Sequence, residues 1–300
     1  MNSSLQGYAA AILGELDAAA ASTVAVELAQ IDSAVGTNHE LRAALTDTSI
    51  SGSSRRAVVD ELLRDKVSEP TVRLAANAAL VTQAQDVPSA MTYLAHRARQ
   101  AATGEFVAEP PMSVMAARRR VGGFAAALFE QLEVRDLEEI EDELFRFARI
   151  VESNPPLRRA LTDRDLPVRR RQAIVHSLVE AKATPPAVAL FDYVVAGGRA
   201  RDIVGTVDWL VDETARARGW RVAKVRTAKP LDDAQSERLK ASLAELTGNP
   251  VELQITDDPA LLGGVRVEVG DLLVDATAKG RLEQLREHLD ADHRTFEKNV

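Results

Sequence analysis

Up to about residue 218 the apolar side chains recur three and four positions apart; beyond it they begin to alternate with polar ones. The first spacing is that of helices with one buried face, the second that of strands. Ile174, Val175, Leu178 and Val179 illustrate the helical stripe. Turn residues punctuate it. Helices are predicted near Ala116–Leu132 and Asp136–Glu152, and a short one follows at Asn154-Pro155-Pro156. Further helices open after Leu166-Pro167 and at Thr184-Pro185-Pro186, and a long one runs from about Ala200 to Arg218-Gly219. Proline suits a helix's first turn, and glycine, as at Gly197-Gly198, ends one because it takes the left-handed cap cheaply. Earlier in the chain Ser51-Gly52 and Glu69-Pro70 play the same opening roles.

After Gly219 the alternation in Trp220–Thr227 predicts a strand. Leu231-Asp232-Asp233 caps a helix with Leu239, Leu243 and Leu246 on one stripe, stopped at Thr247-Gly248-Asn249-Pro250. Val251, Leu253 and Ile255 make a second strand. Gly263-Gly264 permits a bend before Val265, Val267 and Val269. Gly270-Asp271 reads as a hairpin turn, and Leu272, Leu273 and Val274 as the returning strand. Asp275 then stands where its carboxylate can cap a last helix carrying Leu282, Leu285 and Leu289.

The helical part contains a repeat. Leu41 to Asp47 (LRAALTD) and Leu157 to Asp163 (LRRALTD) lie 116 residues apart. The same gapless offset aligns Gly7-Tyr8-Ala9-Ala10-Ala11 with Gly123-Phe124-Ala125-Ala126-Ala127, and Glu27-Leu28 with Glu143-Leu144. It also aligns Asn38 with Asn154, Arg55 with Arg171, Lys66 with Lys182, Pro70 with Pro186, Asp86 with Asp202, and Tyr93-Leu94 with Trp209-Leu210. A period this long means duplicated domains, not a solenoid. The expected organisation is a mostly α, α+β chain. It has a helical bundle over 1–102, a linker over 103–115, a second bundle over 116–218 and a small domain over 219–300. Two tandem six-helix bundles thus precede a β-α-β-β-α module.

Composition narrows the function. Net charge is -8, which argues against a general nucleic-acid coat, since that role needs a basic surface. The chain has no cysteine, so disulfides, thiolate metal sites and a cysteine nucleophile are excluded. Its five histidines share no metal-ligand spacing. The run Gly197–Arg201 lacks the strand and the Gly-Lys-Ser/Thr ending of a phosphate loop, and Asp257-Asp258 in a turn makes a poor acid–base pair. No catalytic residue, metal or cofactor is expected. Nor is a signal peptide, since Glu15 and Asp17 interrupt the apolar N-terminus. No stretch approaches the roughly 18 apolar residues needed to span a bilayer. The sharpest charge features, Arg118-Arg119-Arg120 and Arg169-Arg170-Arg171, read as solvated faces or as contacts to an acidic partner or to RNA.

The tail from Leu261 to Leu289 resembles the end of the delta subunit family of bacterial rotary ATP synthase, whose mitochondrial counterpart is the oligomycin-sensitivity-conferring protein. The family's pattern is carried here by Gly263, Gly264, Gly270, Asp271, Asp275, Thr277 and Arg281-Leu282. The six-helix pattern, the LRRAL segment and the proline-rich start of the fifth helix are similar as well. The extra bundle at the start is similar to the duplicated delta-type domain of some actinobacterial relatives, where it is fused to a membrane-anchored stalk segment. No such segment precedes it here, so the stalk is expected on a separate chain or outside this sequence.

The resemblance implies a non-catalytic stator subunit of the proton-driven enzyme. It would link the alpha/beta catalytic head to the b-type peripheral stalk on the cytoplasmic face of the cell membrane, touching the membrane only through the stalk and binding no nucleic acid. It implies a groove between the first and fifth helices of a bundle that receives the N-terminal helix of an alpha subunit. In the second bundle that groove falls on Val121, Phe124, Ala125, Leu128, Leu190, Tyr193 and Val194; in the first, on Leu5, Tyr8, Ala9, Ile12, Leu74, Asn77 and Ala78. The C-terminal module would bind the stalk. An RNA- or transcription-complex-binding helical module is the alternative, since a related-looking six-helix fold serves in transcription antitermination.

Overall fold

The computed structural model describes residues 2–104, 113–163, 165–179, 182–196, 202–219, 221–248, 250–259, 261, 263–269 and 272–277. It is mostly helical with one small sheet, an α+β architecture. The helices of the first hundred residues are α1 (Ser3–Gly14), α2 (Ala18–Thr37), α3 (His39–Thr46), α4 (Gly52–Leu63), α5 (Glu69–Val81) and α6 (Val87–Thr103). Then come α7 (Val114–Phe129), α8 (Val134–Ser153), α9 (Pro155–Thr162), α10 (Val168–Val179), α11 (Pro185–Ala196) and α12 (Ile203–Ala217). The rest is β1 (Arg221–Thr227), α13 (Asp233–Thr247), β2 (Val251–Asp257), β3 (Val265–Val269) and β4 (Leu272–Asp275). The chain packs as two compact units, residues 1–210 and 211–300.

In the first unit the 116-residue offset links residues with the same structural work. Asn38 and Asn154 cap α3 and α9 by accepting the Leu41 and Leu157 N–H groups. Asp47 and Asp163 each accept an N–H two residues on, from Ser49 and Asp165. Glu27 and Glu143 lie at the start of the fifth helix of each series. Glu27 accepts the Ser68 N–H at 3.0 Å and the Thr71 hydroxyl at 2.6 Å; Glu143 accepts the Thr184 N–H at 2.9 Å and its hydroxyl at 2.7 Å. Both carboxylates thus meet the positive end of a helix dipole. Burial would raise the Glu27 carboxyl, but the Ser68 and Thr71 bonds outweigh it and hold the group below its ordinary range.

The interior follows the same offset: Leu28 with Leu144, Leu74 with Leu190 and Leu94 with Leu210 are all buried. Between them Ala75, Ala78, Ala79, Ala95 and Ala98 are buried too, so the helix backbones approach closely, as expected where alanine replaces aromatics. The arginine triplets differ from a reading as exposed runs. Arg171 is buried like its counterpart Arg55. Arg118 pairs with Asp202 at 2.5 Å and Arg120 donates to the Tyr193 hydroxyl at 2.8 Å, which leaves Arg119, Arg169 and Arg170 exposed.

In the second unit the sheet order is β2-β1-β3-β4. β1 runs parallel to β2 through the α13 crossover and antiparallel to β3, and β3 and β4 form a hairpin with Val269 opposite Leu272. The hairpin therefore counts as two strands, one more than the β-α-β-β-α shorthand. Ala223, Val225, Val251, Val267 and Val269 form the core with Leu243 of α13. Leu239 and Ala244 complete the helix's buried stripe. Leu246, expected on that stripe, is 61% exposed in the last turn before the left-handed cap at Gly248. Trp220, the Gly270-Asp271 turn, the last helix with its leucines, the Gly197–Arg201 run and most of the linker (105–112) lie outside the described residues.

Candidate helix-binding face and the glycine–aspartate turn

The seven groove positions of the second bundle lie on α7 and α11, and the structure divides them. Val121, Ala125, Leu190 and Val194 are buried. Phe124, Leu128 and Tyr193 are half-buried. Phe124 stacks on Tyr193 with ring centroids 3.9 Å apart and planes 13° from parallel. Arg120 fixes the outer end of that pair by donating to the Tyr193 hydroxyl. Burial raises the Tyr193 phenol's pKa despite nearby Arg120, so it stays protonated at neutral pH. Their first-bundle counterparts, from Leu5 to Ala78, are all buried.

The α7 face is not an open groove, because α1 lies along it. The crossing is reciprocal. A Cβ built on Gly7 would fall on the Arg120 carbonyl, and one built on Gly123 would fall on the Ser4 carbonyl. Gly7 and Gly123 are related by the 116-residue offset, and so are Ser4 and Arg120. Two equivalent helices therefore cross backbone to backbone about a local pseudo-two-fold axis, and any side chain at the crossing would hold them apart. Ala127 joins the buried cluster of the first bundle, and Phe124 packs against its edge.

At one end of the crossing three elements of the first bundle converge on Glu130, the residue that caps α7. The Tyr8 hydroxyl of α1 donates to its Oε2 at 2.6 Å. Arg73 of α5 lies 3.2 Å and Arg56 of α4 3.4 Å from its carboxylate. Arg73 also donates to the Ala127 carbonyl at 2.7 Å. Burial, then the bond to Glu130, raises the Tyr8 phenol well above its ordinary range, so it keeps the proton that it donates to that carboxylate. Sequence reasoning missed this cluster. Gly14, Ala189 and Gln172 stand at the offset positions of Glu130, Arg73 and Arg56, so the repeat carries no trace of it.

In the C-terminal module the structure draws Gly264, Asp275 and Thr277 together. Gly264 has φ +84°, and a Cβ there would meet the Ala276 carbonyl and the Thr277 Cα. Asp275 accepts the Thr277 N–H at 3.0 Å and its hydroxyl at 2.6 Å. The Ala276 N–H donates to the Val265 carbonyl at 2.9 Å, closing the turn onto β3. Gly263 also has positive φ. Gly270, Asp271 and Arg281 of the same sequence pattern lie outside the described residues. Asp275→Ala is expected to destabilise this module by about 1 kcal/mol, the usual order for a lost side-chain hydrogen bond within a turn. A melting profile identical to that of the parent would show the turn does not depend on the carboxylate.

The model of the family described as ATP synthase delta (OSCP) subunit matches residues 122–289, more than half of the chain. The chain belongs to the ATP synthase delta (OSCP) subunit family. The match begins inside α7, so the first bundle lies outside it. Full-length relatives span that part as well. ATP synthase subunit delta of Streptomyces griseus is 33% identical over 95% of this chain and 97% of its own length. That of Parafrankia sp. is 35% identical over 89% and 86%. The delta subunit of Streptomyces avermitilis is 44% identical over a shorter match, 51% of this chain and 56% of the relative. One chain of the Toxoplasma gondii mitochondrial ATP synthase hexamer is 21% identical over 56% of this chain, with a TM-score of 0.39, a likeness too slight to establish a shared architecture. Among the described residues no helix is long and apolar enough to cross a membrane, and no group of histidine and carboxylate side chains is arranged to hold a metal ion.

Proposed function

We propose that this chain is a non-catalytic stator subunit that ties the alpha/beta head of a rotary ATP synthase to its peripheral stalk. The second helical bundle, 116–218, faces the head through the N-terminal helix of an alpha subunit, and the module over 219–300 binds the b-type stalk. On this reading the protein works at the cytoplasmic face of the cell membrane, reached only through the stalk. The observation that carries the head contact is the α7 surface, whose glycine crossing and flanking aromatic pair already receive a helix. Such a surface suits an amphipathic helix with anchors one turn apart. The RNA-binding alternative loses support from the arginine triplets, because three of their six side chains are buried or bonded within the bundle.

The test is co-elution of the full chain with a head lacking its own delta subunit, before and after proteolytic trimming of the alpha N-termini. Stoichiometric binding lost on trimming is expected. Binding that survives trimming would overturn the alpha-helix assignment.

A further inference from the structure

We infer that the first bundle is an internal ligand of the second: α1 fills in cis the α7 face on which a partner helix would dock, so a partner gains that face only when the first bundle is released. This rests on the reading of α7 and α11 as a helix-binding surface. Three observations carry it. The crossing at Gly7 and Gly123 is a backbone-to-backbone fit, which leaves no room for a third helix while α1 is present. Ala127 is buried within the first bundle's core cluster, and the half-buried Phe124 packs against the edge of that cluster. The polar cluster that fastens the seam is one-sided: Tyr8, Arg56 and Arg73 reach Glu130, while the offset positions Gly14, Ala189 and Gln172 provide no charged counterpart.

That asymmetry separates a latch from a by-product of duplication. A contact inherited from two identical bundles would be present twice; this one is present once, and at the rim. The Arg56 and Glu130 side chains are 40% and 28% exposed. Ion pairs that open to water contribute little each and are screened by salt. The seam therefore joins a tight glycine crossing to a fastening that solvent can loosen.

The chain has no cysteine, so a pair introduced as Arg56→Cys with Glu130→Cys can be tied specifically by a short bismaleimide. The probe is a synthetic peptide of an alpha subunit's N-terminal helix, titrated calorimetrically into the full chain. Cross-linking is expected to weaken binding at least about tenfold relative to the same variant before cross-linking. Glu130→Gln, which removes the latch charge and keeps a polar side chain at the end of α7, is expected to bind the peptide about three- to tenfold more tightly than the parent. Equal binding by the cross-linked and open forms would overturn the inference and leave the proposed function standing. If no form binds the peptide while the open chain still co-elutes with the head, the helix-binding assignment falls and the inference with it.

Discussion

Gly7→Val is expected to destabilise the helical unit by about 3 kcal/mol, at the upper end of the cost of overpacking a well-fitted contact. The expectation is counter to local propensity. Inside a helix, exchanging glycine for a residue with a side chain ordinarily helps, because glycine loses more backbone freedom on folding. At Gly7 the added carbon would fall on the Arg120 carbonyl, and that obstacle is backbone, which no rotamer change relieves. The helices must separate, and Tyr8 then loses its bond to Glu130. Gly36→Ala in α2 is the internal control, since a Cβ there meets nothing within 4 Å. It should leave the midpoint unchanged or raise stability by about 0.5 kcal/mol. Thermal unfolding of the two variants side by side decides the matter: a Gly7→Val midpoint equal to the parent's would mean α1 and α7 are not crossed as described.

Arg55→Ala is the second large effect, at about 3 kcal/mol. The Arg55 side chain is buried and donates to three carbonyls: Ile50 at 2.6 Å, Thr82 at 2.9 Å and Ala79 at 3.2 Å. Thr82 caps the C-terminus of α5, so the guanidinium lies at the negative end of a helix dipole and fastens α4 to it. Removing it leaves the Ala79 and Thr82 carbonyls without this donor, which costs more than the bonds themselves are worth. Arg55→Lys should recover only part, because one ammonium lacks the planar fork that reaches all three acceptors. The readout is the urea midpoint at constant m-value. A midpoint within error of the parent's would show that water takes over the carbonyls at no net cost.

Much of the helical part could be read from the chain because its punctuation is local. Asn38 and Asn154, the prolines in the first turns of α9 and α11, and the residues opening α4 and α5 act within one turn of their own backbone. The C-terminal strands were equally plain, since alternation needs no partner to be seen. What needed the third dimension was the relation between the bundles. The shared glycine at 7 and 123 was visible as a match, but a demand for close approach exists only once the opposite helix is known. The groove residues suffered a related ambiguity. Successive helix positions turn by about 100°, so a stripe read at three- and four-residue spacing mixes the core side with its flank. Val121, Ala125, Leu190 and Val194 fell on the core side, and Phe124, Leu128 and Tyr193 on the flank. Arg171 misled for the opposite reason: a charge in a run of three looks solvated, yet it occupies the buried place that Arg55 holds in the first bundle.

Residues 104–113 alone connect α6 to α7. A tether of that length keeps α1 near α7 at an effective concentration in the millimolar range, whatever the protein concentration in the cell. A free helix arriving by diffusion competes against that local excess and loses unless its intrinsic affinity is much higher. A helix held on a large assembly carries its own local excess and meets the tethered one on equal terms. The short connection would thus make the α7 face deaf to stray amphipathic segments and responsive to one presented in place.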